Sequence, residues 1–414
     1  MYKTVIKIFS LLVERFSSVS QNKIAFVIKR TVPFSGSIRI AAEVLLSQGL
    51  HELVIFKDGP LDAECLAWRK HGVRVYESMS WQALFDLHSS AVVVLGHSGR
   101  DAFLTRRKPG RKVINLWHGV AIKRIEHLMP VEKESWSYKA WNRRRLMRVN
   151  SRVYDAMVAS SMTDRLTNAL AFGLDLDKVH VTGLPRFDYL SPDYCFSSNL
   201  RADVDCLDAM LAGRRMVLYA PTFRERGASA LALLEPSVLE RLKEFLRSNN
   251  LVLGIRPHPY DQKALEAICD GQWIIDLRPD AYAEPAIPLR AASALVVDYS
   301  SIWIDYLLLG RPIIGFMPDL EQYATQERGF IYDLPAVFPG PMLREWGAVM
   351  AALQALADSG FAVPVADKKR YLQAENLFLP AEHLRFKSTA ACMELFFGSG
   401  VLPQVPQRTD ASID

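Results

Sequence analysis

Cysteine is scarce in this chain of 414 residues: there are 5, an odd number, scattered and without a C-x-x-C pair. This excludes a disulfide-rich secreted scaffold, and no cysteine–histidine set has metal-site spacing. Unpaired, scattered cysteines are typical of a reduced, cytosolic compartment. A composition that is 50% hydrophobic and 23% charged excludes a disordered or collagen-like protein.

Long apolar runs are missing as well. The longest span about five residues, as at 91–95, whereas a membrane-spanning helix needs about 20. The apolar stretch 5–13 is interrupted by Lys7 and Ser10, and no small-residue cleavage site follows, so we interpret it as part of the mature protein. Residues 1–20 form a predicted amphipathic helix, either an interfacial anchor or a helix packed on the first domain.

Two nucleotide-binding motifs are absent. The chain has no G-x-x-x-x-G-K-[ST] loop and no G-x-G-x-x-G after its first strand, which argues against an ordinary kinase, NTPase or dehydrogenase. The D-x-D pairs 175/177 and 203/205 lie in helix-like or linker context, which favours solvated acids over metal ligands. We predict no bound metal and no other cofactor.

Positive charge is concentrated in one segment. Residues 100–152 contain 15 basic and 4 acidic side chains, a net charge of +11 in a chain whose total is +5. Such a field attracts a polyanion or an anionic membrane surface; the alternative is a solvated face without a ligand. The arginines proposed for acceptor or membrane contact are Arg143, Arg144, Arg145 and Arg148.

Short β-branched runs alternate with amphipathic stretches, which predicts parallel βαβ units. Predicted strands lie at 24–28, 53–56, 92–95, 113–116, 216–219, 251–255, 274–276, 294–297 and 313–316. Residues 191–213 are richer in Ser and Asp and are predicted to be a linker, and the pattern at 342–357 predicts a helix. The prediction is α/β, with two doubly wound Rossmann-like domains facing across a cleft: an N-terminal domain at 21–195, a C-terminal domain at 205–400, and a flexible tail at 401–414.

His118 follows a predicted strand in the stretch N-L-W-H-G-V-A-I-K-R (115–124). Ligands bind at the carboxyl ends of strands in open α/β sheets. An imidazole there is largely neutral at pH 7 and can accept a proton from an attacking alcohol. The alternative is a core histidine with a satisfied ring nitrogen.

Further polar residues follow strands of the second domain. Prolines stiffen the loops that carry Thr222, Arg224, Arg256 and His258, whose side chains are suitable donors for phosphate oxygens. Such residues are also common in plain turns.

The stretch D-Y-S-S (298–301) opens a helix, where amides and hydroxyls can bind an anion. Alternatively Ser300 only caps that helix. Asp298 would repel phosphate, so we expect it to fix a donor or the turn, and we assign anion contact to Ser300 and Ser301.

Six short sequence motifs, taken in their order along the chain, resemble those of one protein family. They are W-H-G…K (117–123), G-x-P-R-x-D (183–188), Y-A-P-T-F-R (219–224), H-P (258–259), D-Y-S-S-I-x-x-D-Y-L-L-L-x-R-P (298–312) and R-G-F (328–330). The chain is similar, over about 23–341, to the CDP-glycerol glycerophosphotransferases of teichoic acid and capsule synthesis. The segments 319–323 and 339–341 also match, whereas V-A-I-K-R (120–124) and R-P before H-P depart from the family's usual residues.

This resemblance implies a GT-B-like fold and transfer of a polyol phosphate from CDP-glycerol or CDP-ribitol to a hydroxyl of a lipid-linked or polyol-phosphate acceptor, with release of CMP. The family's functional histidines fall on His118 and His258. The motif residues Gly119, Lys123 and Arg186 join the predicted substrate-binding set. We expect a cytoplasmic enzyme, peripheral on the inner face of an anionic membrane, with no nucleic-acid partner.

Two alternatives stay open. A GT-B glycosyltransferase that uses a nucleotide sugar has a similar cleft and phosphate site, and fold alone does not separate the two. A non-catalytic protein that binds a polyanion or a membrane through the basic segment would bind without releasing CMP.

Overall fold

Two parallel sheets organise the chain, one in each of its two units. The computed structural model describes residues 2–29, 32–57, 59, 61, 63–77, 80–98, 104, 107–130, 141, 145, 147, 151–222, 224, 231, 234–257, 265–327 and 329–398. The first unit comprises the described residues within 1–119, 126–195 and 380–414, and the second those within 120–125 and 196–379.

The first unit contains a parallel sheet with seven strands among the described residues. They are β1 (Ser20–Ile28), β2 (Glu52–Lys57), β3 (Arg74–Tyr76), β4 (Ser90–Leu95), β5 (Lys112–Asn115), β6 (Ala156–Ala159) and β7 (Val179–Val181). Their order is β3-β2-β1-β4-β5-β6-β7. The direction of winding reverses between β1 and β4, and ligands bind outside the carboxyl ends of strands at such a point.

Helices connect these strands, and their ends follow local sequence. They are α1 (Tyr2–Phe16), α2 (Gly36–Gln48), α3 (Ala63–Lys70), α4 (Trp81–Ser89) and α5 (Met162–Phe172). Helix α5 begins after Ser161, whose hydroxyl accepts the Asp164 amide, and ends at Gly173 with a left-handed backbone. Short polar side chains at a helix start and glycine at its end satisfy backbone groups that the helix leaves unpaired.

The second unit has a six-stranded parallel sheet in the described part of the chain. Its strands are β8 (Arg215–Ala220), β9 (Leu251–Ile255), β10 (Ile274–Asp276), β11 (Ala292–Val297), β12 (Ile313–Phe316) and β13 (Met342–Leu343). Their order is β10-β9-β8-β11-β12-β13, so the reversal lies between β8 and β11.

Helices accompany the strands of the second unit. They are α6 (Ser198–Leu211), α7 (Pro236–Ser248), α8 (Ala286–Ala291), α9 (Ile302–Leu307), α10 (Leu320–Gln326), α11 (Leu334–Val337), α12 (Trp346–Asp358) and α13 (Lys368–Phe378). Leu242 and Leu246 of α7 and Val349 and Leu353 of α12 pack on the buried side chains of β8 and β9. Full burial of each such side chain is worth about 1.5–3 kcal/mol.

The predicted fold class of two doubly wound α/β domains is confirmed, with two local corrections. Residues 191–213 are not a linker throughout, because α6 occupies most of them. This helix buries Leu200, Leu207 and Leu211 and leaves mostly polar residues on its surface, so its composition looks like that of a loop. The helix predicted at 342–357 begins only at Trp346, since Met342 and Leu343 pair with β12.

The helix α14 (Ser388–Phe397) packs with the first unit, although the predicted C-terminal domain ran to residue 400. The Asp188 carboxylate accepts the Ser388 amide at 2.9 Å and the Thr389 amide at 2.8 Å. A Cβ on Gly183, whose φ is +75°, would lie 2.1 Å from the Ser388 hydroxyl. The glycine and aspartate of G-x-P-R-x-D therefore serve to seat this helix. The predicted tail 401–414 lies outside the described residues.

Helix α1 is docked on the first unit through polar side chains. The Glu14 carboxylate accepts a hydrogen bond from Arg111 at 2.6 Å, and the Ser10 hydroxyl lies 2.7 Å from Nε2 of His88. Of the two interpretations of residues 1–20, packing on the first domain is therefore observed. Among the described helices, none combines the length and hydropathy needed to cross a membrane.

Replacement of Asp188 by Ala is expected to lower the free energy of unfolding by about 2 kcal/mol, because two buried amides at the start of α14 lose their acceptor. Burial raises the pKa of Asp188 to about 6 against the opposing hydrogen bonds of Ser388 and Thr389, so the carboxylate is mostly ionised at pH 7.5. Urea unfolding at pH 7.5 measures the effect, with the exposed Asp193→Ala as control. Equal stability of the two variants would contradict the assignment.

Candidate active site

Two histidines leave neighbouring strands of the first unit. His97 follows β4 and His118 follows β5, and Leu95 and Asn115 are paired residues at the ends of these strands. Their rings stack with centroids 4.3 Å apart and planes 7° from parallel. The side-chain amide of the buried Asn115 donates to the His97 carbonyl and accepts the Trp117 amide, both at 2.8 Å. One amide thus holds both loops.

The backbone turns sharply before His118. Trp117 has a left-handed φ of 50°, which is uncommon for a residue other than glycine and costs roughly 1–3 kcal/mol. Its indole packs edge-on against Phe172, with ring centroids 4.8 Å apart, and lies 4.1 Å from the His118 ring. Packing therefore maintains the strained turn that presents His118.

The surroundings of His118 favour the neutral imidazole. Burial of the ring, the neighbouring His97 and the Arg186 guanidinium lower the pKa of His118 well below its usual range, and a hydrogen bond to the Gly96 backbone opposes this only in part. Burial and the charge of Lys29 lower the pKa of His97 to about 4. Part of His118 is nevertheless open to solvent, so a neutral ring can meet a substrate.

Arg186 and Gly119 complete this cluster. The Arg186 guanidinium donates to the His118 carbonyl, and its backbone amide donates to the Ser37 hydroxyl at 3.3 Å. A Cβ on Gly119 would lie 3.0 Å from a terminal nitrogen of Arg186. Glycine therefore allows the guanidinium to approach the loop closely. The structure brings three of the predicted residues, His118, Gly119 and Arg186, into one group.

In the second unit Asp298 joins the ends of β8 and β11, where the winding of the sheet reverses. Its carboxylate accepts the Thr222 amide at 2.9 Å, the Thr222 hydroxyl at 2.6 Å and the Tyr299 amide at 2.5 Å. Asp298 is buried, with 1% of its surface exposed. It thus fixes a donor and the turn, as expected from the sequence.

Arg224 is enclosed by acceptors. Its guanidinium donates to Asp298 and to the Thr222 carbonyl at 2.5 Å each, and to both carboxylate oxygens of Asp319 at 3.1 Å. Burial lowers the pKa of Arg224, but the two carboxylates outweigh this and raise it above its ordinary value. Three guanidinium nitrogens are thus engaged within the protein, which favours a positioning role over the predicted contact with phosphate.

Lys123 lies beside the same network. Its ammonium group donates to the Tyr323 hydroxyl at 3.4 Å and lies 5.8 Å from the centre of that ring, and its backbone forms an antiparallel bridge with Phe330. Tyr323 stacks on Tyr299 with centroids 4.0 Å apart. The lysine after W-H-G, the D-Y-S-S tyrosine and the phenylalanine of R-G-F therefore meet in the second unit.

Arg256 is buried and structural. It donates to the carbonyls of Leu277 at 3.0 Å and Tyr282 at 2.7 Å. Burial lowers its pKa to about 10 against the opposing charge of Glu284. Since 8% of the residue is exposed, this geometry favours support of the loop over the predicted phosphate contact.

Ser300 and Ser301 stand before α9 and are partly exposed. The Ser300 hydroxyl accepts the Ile302 amide at 3.4 Å, but the N-cap of α9 is Ser301, whose side chain makes no capping hydrogen bond. Anion contact by these two serines stays a prediction.

Several predicted residues lie outside the described ones: His258, Arg143, Arg144 and Arg148. Arg145 is described, and its guanidinium lies over the ring of the exposed Trp141, 5.6 Å from the centroid. Among the side chains that the structure does describe, no group of three His, Cys, Asp or Glu could hold a metal ion.

His97 was not among the predicted site residues, and neither was Asn115, which joins the loops after β4 and β5. His97 stands in G-H-S-G (96–99), directly after the apolar run 91–95. The rule that selected His118, a polar residue just after a predicted strand, applies equally to His97. No comparable signal existed for Asp319 as the second partner of Arg224, because 95 residues separate them.

Comparisons with known proteins agree with this architecture. The family model of CDP-glycerol:poly(glycerophosphate) glycerophosphotransferase matches residues 9–370. The teichoic acid ribitol-phosphate polymerase TarK of Staphylococcus aureus is 27% identical over 253 residues, 61% of this chain and 47% of that protein. The teichoic acid ribitol-phosphate primase of Bacillus spizizenii is 27% identical over 267 residues, 64% of this chain and 66% of that protein.

Among solved structures, that of the wall teichoic acid polymerase TagF superposes with a TM-score of 0.74. The match covers 95% of this chain and 92% of that chain at 17% identity, which establishes a common GT-B-like fold. The chain spans about half the length of the first of the curated relatives.

Replacement of Asp298 by Asn is expected to destabilise the protein by about 3 kcal/mol, because a buried guanidinium loses one of its two carboxylates. Urea unfolding measures this, with the exposed Asp208→Asn of α6 as control. An Asp298→Asn protein as stable as the control would refute the view that Asp298 organises this site.

Proposed function

Because the chain belongs to the CDP-glycerol:poly(glycerophosphate) glycerophosphotransferase family, we propose that it transfers a polyol phosphate from a CDP-activated donor to a hydroxyl. Glycerol phosphate is the first candidate for the transferred group, CDP-ribitol is the alternative donor, and the acceptor is a lipid-linked or polyol-phosphate chain of teichoic acid synthesis. The observation that carries this proposal is the strained turn of the W-H-G motif, which presents His118 in surroundings that lower its pKa.

His118 is the proposed general base. The acceptor hydroxyl gives its proton to the ring while its oxygen attacks the β-phosphorus of the donor. The new P–O bond forms as the bond to the CMP oxygen breaks, so CMP leaves with the electron pair. A base whose pKa is low stays unprotonated at neutral pH, and a positioned general base contributes typically about 10²–10⁴-fold to the rate.

Phosphoryl transfer depends mainly on positioning and on neutralisation of charge. We assign donor binding to Ser300, Ser301, Lys123 and His258, with Arg224, Arg256 and Thr222 supporting their loops. Arg186 is assigned to the loop of His118, whose carbonyl it binds.

Replacement of His118 by Ala is expected to reduce kcat for CMP release from CDP-glycerol by about 10²–10⁴-fold, because the attacking hydroxyl loses its proton acceptor. The exposed His127→Ala of the same unit serves as control and should stay near wild type. Parallel reactions replace CDP-glycerol with CDP-ribitol or with a nucleotide sugar as the donor, and another reaction omits the acceptor. Near-normal turnover by His118→Ala would refute the base, and turnover of the nucleotide sugar alone would indicate a glycosyltransferase.

We also propose that the enzyme acts at the inner face of the cell membrane and binds it through α1 and α4. Helix α1 turns Ser10 and Glu14 inward and leaves Phe9 and Phe16 exposed, Phe16 by 78%. Phe9 packs edge-on against Trp81 of α4, which is 62% exposed. Exposed aromatic side chains grouped in this way are typical of membrane-interaction sites.

Phe16→Glu is expected to weaken binding to vesicles that contain anionic lipid by about tenfold, since it removes an aromatic side chain that would enter the membrane and adds a charge of the same sign as the lipid. Vesicle sedimentation measures this. Leu170→Glu, at an exposed apolar position of α5, is the control. Equal sedimentation of the Phe16 variant and wild type would exclude α1 as the membrane contact.

A further inference from the structure

We propose that His97 is a positioning residue for the base: together with Asn115 it holds the His118 ring so that one nitrogen faces the Gly96 carbonyl and the other is left to receive the proton. This inference rests on the proposed role of His118.

The stack of the two imidazoles restricts the His118 ring in two ways. A parallel neighbour at 4.3 Å and 7° fixes the plane of the ring, and the Trp117 indole at 4.1 Å and 47° limits its rotation on another side. The hydrogen bond between the ring and the Gly96 backbone commits one nitrogen as a donor, because a carbonyl can only accept. The second nitrogen of the neutral ring is then an acceptor.

Asn115 ties together the two loops that carry the stacked rings. Its amide joins the His97 carbonyl and the Trp117 amide, so the backbones that carry the two rings are tied to one buried side chain. The orientation of the amide is determined by chemistry, since its NH₂ must face the carbonyl and its oxygen must face the N–H.

The charged groups around the pair disfavour protonation of either ring. His97, Arg186 and Lys29 act on His118, and Lys29 also acts on His97. With both rings neutral near pH 7, the stack carries no charge repulsion. Loss of the His97 face would expose more of the His118 ring to water and remove part of the desolvation that keeps it neutral.

The test compares His97→Ala with His97→Phe, which keeps a flat face. In the Ala variant we expect the pKa of His118, followed by NMR of histidine-labelled protein, to rise by about one unit or more. The acid limb of kcat/KM should move to higher pH with it, and kcat at neutral pH should fall about tenfold. In the Phe variant the acid limb of the kcat/KM profile should return to its wild-type pH, and most of kcat should be recovered. The KM for the donor should be unchanged in both variants.

An unchanged titration of His118 in the His97→Ala variant would overturn the inference. Equal losses of kcat and of melting temperature in the Ala and Phe variants would also overturn it, because they would indicate that His97 acts only through packing. The NMR titration requires no turnover, and His118→Ala assigns its signal. Failure of the proposed function gives a different result: the His118→Ala variant would then release CMP at the full rate.

Discussion

The loops that follow parallel strands have lost the hydrogen bonds of the sheet, and in each unit one buried side chain supplies replacements. Asn115 ends β5 and ties the loop after β4 to its own. Asp298 follows β11 and ties the loop after β8 to its own. An unpaired buried backbone group costs about as much as a lost hydrogen bond, so the rest of each site depends on these two contacts.

The difference between the two side chains matches the charge around them. The neutral amide of Asn115 serves a region with Lys29 and Arg186, where two histidines stay neutral. The carboxylate of Asp298 serves a region where a buried arginine must be compensated. Burial of a charge is tolerated only when it is paired and hydrogen-bonded. Arg224 therefore organises its loop and brings Asp319 and Tyr299 to it, since Tyr299 also donates to Asp319 at 2.8 Å.

Helix α1 is also held by a few buried polar contacts, while several of its large apolar side chains are exposed. Its ion pair with Arg111 and its contact to His88 face the interior of the first unit, and large apolar side chains face outward. The amphipathic pattern of the sequence alone does not predict which face of the helix is buried against the first unit. The buried face of α1 carries Ser10 and Glu14 beside the apolar Ile6 and Val13, and its polar groups have partners in His88 of α4 and in Arg111, which precedes β5.

The alternation of strands and helices could be predicted from the amino-acid sequence, because buried parallel strands are short, apolar and β-branched. The positions of His118, Thr222 and Asp298 just after strands could be predicted in the same way. The inward orientation of Arg224 and Arg256, the packing of α14 with the first unit through Asp188 and the stack of His97 on His118 arise only in the folded chain. Each of these depends on a contact between residues distant in the chain, which local patterns do not encode; Asp188 and Thr389, for example, are 201 positions apart.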